Sequence, residues 1–333
     1  MRAAKAAPAL LLVPLALALA GCGAEQTPSM FRAESTAAQD IRTLTFILFA
    51  ILSGILIFVW AWLFLAILRN RRRPESQVKQ SHGNLTVEFV WTLIPAVIVA
   101  VLFYLTLSTT EALTTNVPRQ VDIKVTGYQW WWGVEYRSGK FATANEIHVP
   151  VDRTVALDLA SADVIHSFWV PQMGGKLDMV PGRINTIHFL PTKAGEYIGE
   201  CSEFCGHQHG RMRFLLVVEP VEDFTEWFAN QRRPAVTPTG EPAVAGQTTI
   251  TKLPCVGCHT IRGNDAMRGV TGPDLTHVAS RSSLAALTID NTPDEMRRWL
   301  RDPQKVKPAN LMPAVPLTPR QLDELVAYLE ALE

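Results

Sequence analysis

Hydrophobic positions fall into three regimes along the chain. Before residue 110 they come in unbroken runs. Pro8 to Ala20 is apolar but too short to span a bilayer, and it follows the basic Arg2 and Lys5 in the pattern of a secretory signal. Thr43 to Leu68 holds no charged residue and is long enough to cross a hydrocarbon core of roughly 30 Å. A second run, Phe89 to Leu107, contains Pro95, which membrane helices tolerate. The pattern predicts a transmembrane hairpin with spans at about 43–68 and 88–108, inside a segment 22–116. Between the spans stand Arg69-Asn70-Arg71-Arg72-Arg73 and Lys79, which place this loop in the cytoplasm and both hairpin ends outside. Core helices of a soluble protein would not need the length or the basic loop.

From Val117 the period changes to two. Val121-Asp122-Ile123-Lys124-Val125, Glu146-Ile147-His148-Val149 and Val155 to Leu159 alternate apolar and polar residues, with turns such as Pro181-Gly182 and Ala194-Gly195 between them. Short alternating strands predict an antiparallel β-sandwich over 117–220. Glu222 to Arg233 reads as an amphipathic helix. The Pro-, Thr-, Ala- and Gly-rich stretch from Pro234 to Gln247 reads as a linker, so 221–247 joins the sandwich to a last domain, 248–333. There the spacing is helical. Thr292-Pro293-Asp294-Glu295 and Thr318-Pro319-Arg320-Gln321 predict capping boxes, and Leu322, Leu325, Val326 and Leu329 share one face of a terminal helix.

Composition adds two constraints. Basic and acidic residues balance at 31 each, so no global excess of positive charge argues for nucleic acid. The five cysteines are the other constraint. Leu19-Ala20-Gly21-Cys22 resembles the lipobox of bacterial lipoproteins, which implies a signal peptide over 1–21, cleavage before Cys22 and a lipid on its sulfur. That would anchor the chain on the outer surface, in agreement with the charge of the hairpin loop.

Cys201-Ser202-Glu203-Phe204-Cys205-Gly206-His207-Gln208-His209-Gly210-Arg211-Met212 packs five metal-ligating side chains into twelve residues, and His166 could supply another. Thiolate, imidazole and thioether form a soft to borderline set that suits copper and discriminates against magnesium or calcium as principal metal. A Cys201–Cys205 disulfide and a closed zinc site of Cys201, Cys205, His209 and His166 compete with copper. Ligand type alone does not decide between copper and zinc. Cys255-Val256-Gly257-Cys258-His259 is a C-x-x-C-H haem-attachment motif, with a redox dithiol as its rival. A distal iron ligand falls to Met312, in an irregular segment before the last helix, because Met267 is too close to His259 and Met296 lies in a helix.

Together with His166, the Cys201–Met212 segment, Lys176-Leu177-Asp178-Met179-Val180-Pro181-Gly182-Arg183, Gly127-Tyr128-Gln129-Trp130-Trp131-Trp132 and Glu88 to Pro95 resemble subunit II of haem-copper cytochrome c oxidases. The resemblance covers about residues 40 to 220 and implies a cupredoxin-like sandwich holding the dinuclear CuA centre. It implies that Cys201 and Cys205 bridge both coppers, that His166 and Met212 complete one, and that His209 and the carbonyl of Glu203 complete the other. His207 is the rival for His209. The Glu203 carboxylate would reach a magnesium ion shared with subunit I, Trp130 would receive electrons, and Glu88 would lie near the mouth of a proton pathway. Tyr128 stands where family members often have histidine.

Thr271-Gly272-Pro273-Asp274-Leu275 resembles the Gly-Pro-x-Leu segment of class I cytochromes c, in which the proline carbonyl orients the proximal histidine. A subunit II fused to a cytochrome c is the pattern of caa-type oxidases. The expectation is a multi-domain membrane protein in the bacterial plasma membrane, with a two-helix hairpin, an all-β sandwich and an all-α haem domain, and with its soluble parts on the outer face. Electrons would pass from cytochrome c or another respiratory donor through haem c and CuA to subunit I, where oxygen is reduced with proton pumping; subunit III would be a further partner. A copper-handling lipoprotein is the rival of a different class. A quinol-oxidase subunit is disfavoured because that relative lacks the copper ligands.

Overall fold

The computed structural model describes residues 27–71, 83–114 and 121–333. The expected signal peptide 1–21, Cys22, and Arg72, Arg73 and Lys79 of the basic loop lie outside the described residues.

Two long helices come first, α1 over Thr36–Asn70 and α2 over Leu85–Thr114. Their apolar side chains, Trp60, Trp62 and Tyr104 among them, are exposed along the helix surface. A lipid environment covers such a surface at no cost, whereas water would not. Both helices outrun the apolar stretches that predicted them. Ser35 caps α1, its Oγ accepting from Ala38 N at 3.1 Å and donating to Met173 O at 2.7 Å. Glu34 N donates to Gln172 O, Thr36 N to Leu190 O and Thr192 N to Glu34 O. The first span is therefore pinned to the sandwich by its own first turn. At the other end of the hairpin, Glu88 Oε1 accepts from Asn84 N at 3.2 Å in the first turn of α2.

The sandwich contains ten strands: β1 (Val121–Tyr128), β2 (Trp131–Tyr136), β3 (Phe141–Ala144), β4 (Glu146–Pro150), β5 (Val155–Ser161), β6 (His166–Trp169), β7 (Leu177–Met179), β8 (Asn185–Phe189), β9 (Gly195–Cys201) and β10 (Arg213–Glu219). One sheet runs β3-β2-β1-β5-β8 and the other β4-β10-β9-β6-β7. Ile123, Val125, Trp132, Val134, Leu157 and Leu159 of the first sheet meet Ile147, Val149, Phe168, Phe214, Leu216 and Val218 of the second in one buried core. The alternation seen in the sequence is the alternation between this core and the outer faces. The sheets are not purely antiparallel. β1 pairs with β5, and β4 with β10, in parallel. Each of these pairs is far apart in sequence, and parallel neighbours need a crossover that a local pattern does not reveal.

Helix α3 (Val221–Gln231) follows β10 and lays Phe224, Trp227 and Phe228 on the sandwich core. His148 stacks on Trp227 with ring centroids 4.0 Å apart. It also sits between Glu219, at 3.0 Å, and Glu146, at 3.9 Å. Burial opposes its protonation, but the two carboxylates outweigh burial and raise its pKa. Burial likewise works to raise Glu146, yet His148 and two bonds from Ser282, donated by its backbone N–H and hydroxyl at 2.7 Å, hold that carboxyl below its ordinary value.

The stretch expected as a linker carries more structure than a spacer. Arg262 donates to the carbonyls of Gln231 and Arg232 at the end of α3, and Ala235 N donates to Arg262 O. A helix, α4, then spans Glu241–Thr251 and buries Ala243, Gly246 and Ile250. These small and apolar positions are widely spaced among Thr and Pro, which hides the helical face. Helices α5 (Pro293–Arg301), α6 (Pro303–Val306) and α7 (Pro319–Glu330) complete the haem domain. Thr318 and Gln321 form the full capping box on α7. At α5 Thr292 accepts from Glu295 N, but the Glu295 carboxylate pairs with Arg298 instead of returning to the cap. Helix α7 packs against α4 so closely that a Cβ on Gly246 would stand 2.0 Å from Glu324 O.

Two outcomes follow from this packing. Gly246→Ala must push the α4 and α7 backbones apart and should destabilise the haem domain by about 1–3 kcal/mol; an unchanged calorimetric transition would refute the close approach. His148, raised above its ordinary 6.5, contributes stability that is complete below that value and is lost as pH rises through its folded pKa. Glu146, lowered below its ordinary 4.5, contributes stability that is complete above that value and is lost as pH falls. The melting-temperature difference between wild type and His148→Gln should therefore peak between about pH 4.5 and 6.5 and shrink in alkali. A difference that stays flat from acid to alkali contradicts it.

Candidate metal and haem centres

The metal-ligand cluster is assembled at one end of the sandwich. Cys201 ends β9, while Cys205, His209 and Met212 lie in the loop to β10. His166 opens β6, which pairs with β9 so that Phe168 stands opposite Cys201. That pairing closes a gap of 35 residues. Cys201, Cys205, His166 and Met212 are all buried.

The donor atoms form a compact set. The two sulfurs are 3.7 Å apart, far longer than a disulfide bond, and both cysteines are free. Cys201 Sγ lies 3.8 Å from His166 Nδ1 and 3.2 Å from Glu203 O. Cys205 Sγ lies 3.8 Å from His209 Nδ1 and 3.8 Å from Met212 Sδ. Ligands bound to one ion at about 2.1–2.3 Å in tetrahedral arrangement are spaced roughly 3.4–3.8 Å apart. Four of the five separations fall in that range, and the Glu203 carbonyl stands closer, at 3.2 Å. His166, Cys201 and Cys205 group within 4.8 Å, and His209 falls outside that group. The imidazoles thus attend different sulfurs instead of closing one four-ligand zinc site.

The two sulfurs and the imidazole perturb one another strongly. The Cys205 thiol, with His166, holds the Cys201 sulfur far below the ordinary thiol range, against the opposing effect of burial. Cys205 is raised in return, by its contact with the Cys201 sulfur and by burial. Burial lowers His166, but Cys201 and Asp163 outweigh it and raise the imidazole. Asp163 is a residue that the sequence motifs did not bring forward. Its Oδ1 takes the His166 Nε2 contact at 2.7 Å and accepts from Val164 N, while its Oδ2 accepts from Gln129 N at 2.6 Å. This carboxylate turns the His166 ring so that Nδ1 faces Cys201. The Asp-x-x-His spacing was the available signal, but it cannot tell which way either side chain points.

Trp130 is 7 % exposed, and its indole N–H donates to Cys205 O at 3.0 Å. Gln129 Nε2 donates to the same carbonyl at 2.7 Å. Gly206 makes room for this contact. Its φ of +117° suits glycine, and a Cβ there would meet the Trp130 ring at 2.9 Å. His207 is exposed and packs edge-on against Trp130, with centroids 6.4 Å apart. The Glu203 side chain is exposed. Tyr128 stacks on Trp131 at 4.3 Å.

In the haem domain a single-turn 3-10 helix over Pro254–Gly257 follows α4, and the Cys258-His259 end of the motif is wrapped by residues 267–275. The His259 Nδ1 atom is 2.8 Å from Pro273 O, which leaves Nε2 free to face a metal. Burial and the Arg281 guanidinium lower its pKa, with the Pro273 contact opposing, which favours the neutral ring that ligation requires. Cys255 and Cys258 are free. Met267 and Met296 belong to the apolar core, whereas Met312 is half-buried in an irregular segment whose backbone is held by Gln304 and Asn310. Val270 and Leu311, each 78 % exposed, are apolar side chains next to these candidate ligand segments. The donor set fits a covalently attached haem.

Comparison with known proteins covers all three parts of the chain. Residues 24–108 match the family profile "Cytochrome C oxidase subunit II, transmembrane domain", residues 138–221 its periplasmic domain, and residues 243–333 that of cytochrome c. The cytochrome c oxidase subunit 2 of Alkalihalophilus pseudofirmus is 32 % identical, covering 96 % of this chain and 95 % of its own. That of Bacillus subtilis is 28 % identical over 97 % of each chain. The solved periplasmic domain of subunit II of cytochrome oxidase from Bradyrhizobium japonicum is 33 % identical, covering 35 % of this chain and 97 % of its own, with a TM-score of 0.35. With two membrane-length helices, a sandwich carrying the paired cysteines and a haem-attachment domain in that order, and with near full-length similarity, the chain belongs to the cytochrome c oxidase subunit II family, in the form that carries a cytochrome c domain.

Proposed function

We propose that this chain is the electron-input subunit of a caa-type terminal oxidase, in which Cys201, Cys205, His166, His209, Met212 and the Glu203 carbonyl hold a dinuclear copper centre. The same reading has Cys255 and Cys258 attach a haem whose iron is held by His259 and Met312. The observation that carries it is the arrangement around the sulfurs. Each cysteine stands beside one donor proposed for each copper: Cys201 beside His166 and Glu203 O, Cys205 beside Met212 and His209. A pair of thiolates placed in this way suits a bridging role.

When bound, the copper pair and the haem supply one-electron carriers at potentials suited to delivering electrons toward oxygen. The chain's own residues do the positioning. The β6–β9 pairing and Asp163 fix His166, and burial of the sulfurs keeps water from them. Pro273 fixes the His259 tautomer, and the indole N–H of Trp130 ties the proposed electron-receiving ring to the Cys205 backbone. Ligands held this firmly need move little when charge arrives, which keeps the reorganisation cost of transfer small.

The partners follow from the same reading. Subunit I carries the oxygen-reducing site and subunit III completes the core, while cytochrome c or another respiratory donor supplies electrons. The exposed Glu203 carboxylate is available to a magnesium ion at the subunit I interface. Glu88, in the first turn of α2, would lie near the mouth of a proton pathway in subunit I. The hairpin spans the bacterial plasma membrane with both soluble domains outside, in keeping with a lipid on Cys22.

Metal and haem quantitation on the purified full chain tests the reading. Two coppers and one covalent haem per chain are expected; a single zinc, a Cys201–Cys205 bond or one copper overturns it. Asp163→Asn should lower copper affinity about tenfold, read by chelator competition, with haem content unchanged. Unaltered affinity would remove Asp163 from the site.

A further inference from the structure

Lys307 is 2 % exposed, and among the described residues no carboxylate pairs with it. Its Nζ donates instead to three backbone carbonyls, Trp130 O at 2.9 Å, Arg211 O at 2.8 Å and Ala285 O at 2.8 Å. An ammonium has three N–H groups, and each has an acceptor here. The acceptors come from three separate places. Trp130 lies in the two-residue turn between β1 and β2, Arg211 precedes the candidate ligand Met212, and Ala285 belongs to the haem domain itself.

The residues on either side are gripped as well. Arg211 Nη1 donates to Val306 O at 3.2 Å, and Gln208 Nε2 donates to Pro308 O at 2.7 Å. Three consecutive residues of the haem domain are thus held by the β1–β2 turn and the cysteine loop of the sandwich. The same segment leads into the candidate iron ligand: Asn310 Nδ2 donates to Lys307 O at 2.6 Å, and Met312 N donates to Asn310 Oδ1 at 2.8 Å. On the other side of the ammonium, Ala285, Ala286 and Leu287 adopt φ of 53°, 60° and 56°, a left-handed turn that L residues adopt only when their surroundings require it.

A buried lysine without an acidic partner is costly. Burial and the Arg211 guanidinium pull its pKa down to about 7, with Cys205 opposing. A side chain with no docking task would relieve that cost by turning into water. Here the carbonyl acceptors exist together only while the two domains are in contact.

We propose that Lys307 is a positioning residue that clamps the cytochrome domain onto Trp130 and the metal-ligand loop, making electron transfer between the two centres an event within a preformed contact. A corollary is that an external donor reaches the sandwich through the cytochrome domain, because the turn bearing Trp130 is occupied. Lys307 exchanges neither proton nor electron in this role. It holds the contact across which one electron leaves the reduced iron centre and arrives on the oxidised copper pair. The inference rests on the copper and haem assignments proposed above.

The test uses the full chain in its assembled oxidase, comparing wild type with Lys307→Met. Deuterium uptake should rise in the variant at residues 128–132 and 205–213, with haem and copper absorption unchanged. Transfer from haem to copper after flash photoreduction should slow about tenfold and become dependent on solvent viscosity, as a tethered but undocked pair would. Unchanged uptake and rate with intact spectra overturn the clamp while leaving the metal assignment standing. Should the variant fail to accumulate, wild type decides alone: transfer independent of viscosity supports a preformed contact, and marked slowing in glycerol overturns it. Absence of the copper absorption in wild type would instead remove the metal assignment, and the clamp with it.

Discussion

Two sulfur atoms held 3.7 Å apart without bonding to each other are the constraint around which the soluble part is built. Free thiols keep this separation only where the backbone fixes both side chains. The end of β9 fixes Cys201, and the short loop to β10 fixes Cys205 through contacts with Gln129, Trp130 and Gly206. Met212 N donates to His209 O and Cys201 N to Met212 O, so the loop closes on itself. The sandwich core beneath supplies the rigidity. Trp132, Phe168 and Phe214 form a buried aromatic cluster under the ligands, with centroids 4.6–6.0 Å apart. Aromatic rings packed this closely transmit displacement instead of absorbing it.

The same rigidity extends outward in two directions. Toward the membrane, α1 begins at Ser35 inside the hydrogen-bond network of the sandwich, so the position of the metal site relative to the bilayer is set by backbone bonds and not by a flexible stalk. Toward the haem domain, Glu146 with Ser282, Arg262 with the end of α3, and the Val306–Pro308 segment with the cysteine loop form separate contacts. Hydrogen bonds across both junctions reduce the conformational freedom that a soluble carrier would lose afresh at every encounter. A subunit that carries its own donor needs that economy, because the donor domain is synthesised and folded next to its acceptor.

The boundary between sandwich and haem domain shows how local composition can mislead. Pro234 to Gln247 is rich in the residues that build spacers, yet its second half is the helix that packs on α7. Gly246, which weakens a helix by propensity, is there because no side chain fits between α4 and Glu324. Tertiary packing outweighed propensity at that position. The capping signals fared unevenly for a similar reason: Gln321 returns to its cap, while Glu295 finds Arg298 one turn along.

What the sequence determined by itself were features whose chemistry is local. The two spans follow from length and apolarity, the sandwich strands from period-two alternation, the haem domain from C-x-x-C-H, and the ligand types from twelve consecutive residues. Each of these needs only neighbours in the chain. What tertiary structure decided were relations between distant segments. It brought His166 to Cys201 through β6–β9 pairing, gave each sulfur a different imidazole, placed Asp163 behind His166, and made β1 and β5 parallel. It also carried Lys307 across 177 residues to the carbonyl of Trp130. No pattern announces such a lysine, because its acceptors are backbone carbonyls, which every sequence has. Only the fold decides which of them converge.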